Sequence, residues 1–60
     1  RYIHGVVFCD TAELFYLCGD YFNAGKYLDI GGPMLAASPY MTEKANELSQ
    51  KIKAALNSQA

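Results

Sequence analysis

Four side chains in the first third of the sequence could do chemistry: His4, Cys9, Asp10 and Cys18. They are metal-ligand types, and a Cys near a His can also form a nucleophile–base couple. The spacing supports neither use. Structural zinc takes closely paired ligands such as C-x2-C or H-x3-H, and His4-x4-Cys9-x8-Cys18 contains no such pair. A Cys–His couple here has no orienting third residue and no oxyanion element placed by sequence. Gly31-Gly32-Pro33 is not a phosphate cradle, because G-x-x-x-x-G-K-[ST] is absent. The plain readings are two thiols acting as small hydrophobes, a histidine in water or on backbone, and a Gly-Pro helix stop. The sequence thus implies no catalytic residue, no metal and no cofactor.

Two cysteines in a short chain invite a disulfide, but geometry opposes one. On a single helix, nine residues of rise separate Cys9 from Cys18 by roughly 13 Å, whereas a bridge needs Cα atoms within about 7 Å. Only a first segment folded back along a helix would bring them together, so two free thiols are expected.

The elements that must position these residues are short. Residues 2–8, YIHGVVF, are β-branched and aromatic and read as an extended arm or edge strand with no strand partner in the chain. Asp10 is the expected N-cap of a first helix over residues 10–28. On that helix Leu14, Phe15, Leu17, Cys18, Tyr21, Phe22, Gly25 and Leu28 cover an arc of roughly 160°. Gly19 and Gly25 each cost up to about 1 kcal/mol inside a helix, which implies close approach of another backbone or an early end. Residues 29–38 read as a connector in which a left-handed Gly cap and Pro33 stop the helix. Ser38 and Pro39 then open a second helix over residues 39–57 as N-cap and N1. Its seam is narrow: Met41, Ala45, Leu48, Ile52 and Ala55 in 4-3-4-3 spacing, with Glu43, Lys44, Glu47 and Lys51 in water. The expected fold is all-α, an antiparallel two-helix hairpin with an extended N-terminal arm, in a single small domain over residues 1–60.

Ala12-Glu13-Leu14-Phe15-Tyr16-Leu17-Cys18-Gly19-Asp20-Tyr21-Phe22, followed by Gly25-Lys26-Tyr27, resembles the first helix and turn of a tetratricopeptide repeat. In that likeness Phe15 stands at the large aromatic position, Gly19 at the small one and Phe22 at the later aromatic. The A-x3-F…P pattern of the repeat's second helix is missing, since Gly31-Gly32-Pro33 lies where that helix would run. The resemblance is one of a single helix, and the function it implies, a peptide-binding fragment of a helical repeat, ranks below the two readings given next.

Composition sets the function classes. The chain is 52% hydrophobic with five Tyr and three Phe, which opposes disorder. Its net charge of −1 offers no basic footprint for nucleic acid. No apolar run approaches the ~20 residues of a membrane span, while peripheral attachment to a membrane complex stays open. Arg1 stands first in place of Met, which is read either as a targeting peptide removed on the way to an organelle or the outside, or as a fragment of a longer protein. The wide apolar arc of the first helix exceeds what the narrow second seam can cover. The expected function is therefore non-enzymatic: a small accessory or structural subunit docking on other protein subunits of a larger complex. Its interface would comprise Tyr2, Ile3, Val6 and Phe8 of the arm, with Leu14, Phe15, Tyr16, Tyr21, Phe22 and Tyr27 of the helix. The alternative is a small processed secreted helical peptide acting as a free monomer.

Overall fold

The computed structural model describes residues 1–59 and is all-helical. Three α-helices follow one another: α1 (Tyr2–Leu17), α2 (Tyr21–Gly31) and α3 (Pro39–Gln59), with a 3-10 turn over Gly32–Leu35 between the last two. The two-helix hairpin is thus corrected to three helices. The expected arm is not extended, because residues 2–8 form the first half of α1. The helix expected over 10–28 is really the end of α1 and most of α2.

The arm becomes helix through a tertiary contact. Ile3, Val6 and Val7 disfavour helix only slightly, and packing overrides that preference. Gly5 lets α1 lie directly on the end of α2. A Cβ on Gly5 would meet Met34 Cβ at 2.7 Å and the Gly31 carbonyl at 3.1 Å. The approach is mutual, since a Cβ on Gly31 would lie 2.6 Å from Phe8 Cβ and 3.0 Å from the Gly5 carbonyl. Behind this crossing Cys9 and Ala12 of α1, and Ala24 and Leu28 of α2, are buried. Small residues thus let two antiparallel helices pack closely.

Three residues reverse the chain between α1 and α2. The Asp20 amide donates to the Phe15 carbonyl at 2.9 Å and the Gly19 amide to the Tyr16 carbonyl at 3.0 Å. This pair of bonds is a Schellman motif, and Gly19 supplies its left-handed residue with φ 85°. Asp20 then caps α2, its carboxylate accepting from the Asn23 amide at 3.2 Å and from Asn23 Nδ2 at 2.7 Å. The capping role expected of Asp10 therefore belongs to Asp20, while Asp10 sits mid-helix. The early end implied by Gly19 is realised.

No left-handed cap forms at the glycine pair. α2 runs on through Gly31, and Gly32, with φ −53°, leads into the 3-10 turn that buries Leu35 completely. Ser38 Oγ accepts from the Met41 amide at 3.2 Å, and Thr42 Oγ1 donates to the Leu35 carbonyl at 3.0 Å. These bonds start α3 where Ser38 and Pro39 place it and tie it to the turn. Ala45 and Ile52 are buried on α3, Met41, Leu48 and Ala55 are half-buried, and Glu43, Lys44, Glu47 and Lys51 are exposed, as the seam requires. The molecule measures 34 × 16 × 14 Å, its long axis close to the ~32 Å that the 21 residues of α3 span.

Candidate functional site

The would-be chemical set lies on or at the end of one helix, and the helix disperses it. At 100° per residue, Cys9 points roughly opposite Cys18 around α1, and His4 stands about 21 Å of rise from Cys18. Cys9 is buried and Cys18 exposed, both as free thiols. Burial pushes the Cys9 thiol up, and the adjacent Asp10 carboxylate adds to it. Among the described residues no group of three or more His, Cys, Asp or Glu side chains converges on one point. The cleft beside Cys9, lined by Asp10, Glu13, Lys44 and Lys51 among others, holds about 140 Å³, below the few hundred Å³ of an ordinary ligand pocket.

The distribution of apolar side chains is more informative. The core consists of Cys9, Ala12, Ala24, Leu28, Leu35, Ala45 and Ile52, so only Leu28, Leu35 and Ile52 bring large side chains to it. Tyr2, Ile3, Val7, Leu14, Leu17, Phe22, Ile30, Tyr40 and Leu56 are large, apolar and exposed. Single exposed hydrophobes are ordinary, but these are not scattered evenly. Ile3, Val7, Leu14 and Leu17 all belong to α1 and are 73%, 56%, 64% and 72% exposed. At 100° per residue they fall, with Asp10, in an arc of about 80°. Gly5, Cys9 and Ala12 occupy the opposite side. α1 therefore has two apolar faces, one packed on the rest of the chain and one open. A helix that is apolar all round is normally buried all round.

The interface residues read from sequence divide accordingly. Tyr2, Ile3, Leu14 and Phe22 are exposed. Val6, Phe15, Tyr16, Tyr21 and Tyr27 pack partly buried against the core. Phe8 and Phe15 both stack on Tyr27, with ring centroids 6.1 and 5.3 Å away, and Tyr16 tilts against Tyr21 at 5.5 Å. These aromatics are engaged in joining α1 to α2. Tyr16 and Tyr27 are part of that joint because Gly19 re-aims the chain between them. Val7 and Leu17 belong to the open face and were missed. Their signal was present: Ile3, Val7, Asp10, Leu14 and Leu17 keep 4-3-4-3 spacing across the residue at which the arm was expected to end.

No helix among the described residues is long and apolar enough to cross a membrane. The tetratricopeptide likeness does not extend to the backbone, since Gly19 ends a helix where the repeat's pattern keeps Phe15 and Phe22 on one. No protein-family model matches the chain, and neither a curated protein nor a solved structure matches it.

Proposed function

We propose that this chain is a non-enzymatic accessory or structural subunit that docks on other protein subunits of a larger assembly through α1. The observation that carries the reading is the open face of α1, where Ile3, Val7, Leu14 and Leu17 stand in water opposite the packed seam. Phe22, 72% exposed at the start of α2, adds to the apolar surface near the reversing turn. An exposed apolar face of this kind, interrupted by Asp10 alone, is the sort of surface that serves as an interaction site. The charge balance of −1 and the acidic Asp10 and Glu13 on the exposed side of α1 favour a protein partner over nucleic acid. Peripheral attachment to a membrane-bound complex is compatible with the same docking face.

Native mass spectrometry of the protein taken from its source is the test. The expected result is a complex in which this chain is bound with larger subunits. A free chain at its own mass of 6.6 kDa would contradict the reading and favour a secreted helical peptide acting alone.

A further inference from the structure

Ile3, Val7, Asp10, Leu14 and Leu17 recur at 4-3-4-3 intervals, the spacing of a coiled-coil seam. The seam is continuous over about 21 Å of α1, and its one polar member, Asp10, lies at the centre and is exposed. We propose that this outer seam takes an amphipathic helix of another protein, and that this helix presents a Lys or Arg opposite Asp10. The inference rests on the docking role proposed above and names the chemistry of the partner.

Three features select that occupant. The 4-3 spacing is what a second helix fills, its side chains entering the gaps between Ile3, Val7, Leu14 and Leu17. A second copy of this chain fits poorly, because antiparallel pairing about the seam centre sets Asp10 against Asp10 and the like charges repel. A lipid surface fits poorly too. Interfacial helices carry Lys and Arg beside their apolar face, whereas this seam holds Asp10 with Glu13 on its flank. Lys44 and Lys51 line the cleft on the α3 side of Asp10, but the seam itself contains no basic residue. A partner cation at its centre supplies what the face lacks, and a single polar pair within such a seam also fixes register.

The test uses the whole 60-residue chain and two synthetic helical peptides with Leu and Ile on a 4-3 seam. One peptide carries Lys at the central seam position and the other Glu. Binding is read by fluorescence anisotropy at low salt, with helicity of each protein variant checked by circular dichroism. The Lys peptide is expected to bind at least about tenfold more tightly, Asp10→Lys to reverse that preference, and Leu14→Asp to abolish binding of both. Equal binding of the two peptides, lost in Leu14→Asp, would overturn the charge assignment while leaving the docking face in place. Binding of neither peptide to a helical chain, or binding insensitive to Leu14→Asp, would overturn both. Dimerisation of the chain alone, abolished by Leu14→Asp, would overturn the proposal in favour of a second copy.

Discussion

Gly31 and Gly32 are neighbours in sequence with opposite tolerances. A Cβ at Gly31 would strike Phe8 Cβ at 2.6 Å, while nothing lies within 4 Å of one at Gly32. Gly31→Ala is therefore expected to cost about 1–3 kcal/mol by overpacking the crossing of α1 and α2. Gly32→Ala, at an ordinary helical φ of −53°, should be neutral or stabilising by up to about 1 kcal/mol. Denaturant unfolding of the two variants checks this, and a harmless Gly31→Ala would mean that the helices do not approach so closely. The thiols differ in the same local way. Native-state alkylation at mildly alkaline pH should modify Cys18 quickly and Cys9 slowly, because Cys9 is buried and its thiol is pushed up. Since the fold favours the neutral thiol, this contribution is present below the unfolded thiol pKa of about 8.5. It is lost as pH rises through the higher folded value. Equal labelling rates would place Cys9 in water and contradict the packing of α1.

At the scale of elements, the reversing turn is the most exposed to a single change. Asp20 closes α1 through its amide and caps α2 through its carboxylate. Asp20→Ala should cost about 0.5–2 kcal/mol, whereas Asp10→Ala, mid-helix and exposed, should stay within about 0.5 kcal/mol. The reverse ranking, measured by urea unfolding, would restore the helix that was expected to start at Asp10. How legible each element was follows from whether its signal is local. α3 could be read closely, because Ser38, Pro39 and the Met41–Ile52 seam are signals within one element. α1 could not, because Ile3, Val6 and Val7 look like strand and become helix only through Gly5 resting on Gly31, a contact across 26 residues. The Asp10 error has a related cause: two aspartates each precede an apolar stretch, and only Gly19, as the left-handed residue before Asp20, tells them apart. Of the candidate interface, Ile3, Leu14 and Phe22 were visible in the sequence, and Val7 and Leu17 were not. Leu14 and Phe22 stand out in any register, but Val7 and Leu17 join Ile3 and Leu14 only once residues 2–17 are one helix.

For the whole molecule, the balance of large apolar side chains decides the argument. Leu28, Leu35 and Ile52 are buried, while Ile3, Val7, Leu14 and Leu17 line one open face. The surface of 4225 Å² exceeds the roughly 3,900 Å² expected of a compact monomer of this mass. A chain of this length holds only about 3–9 kcal/mol of stability in ordinary cases, and only Leu28, Leu35 and Ile52 are large among the seven buried core residues. Covering the outer face of α1 removes both deficits at once. The most direct measurement is thermal unfolding of the isolated 60-residue chain, followed by circular dichroism at two concentrations well apart. A broad transition centred well below about 60 °C is expected at both concentrations, because the open face of α1 lacks its partner. A sharp, concentration-independent transition above about 60 °C, near the upper end for mesophile domains, would contradict it.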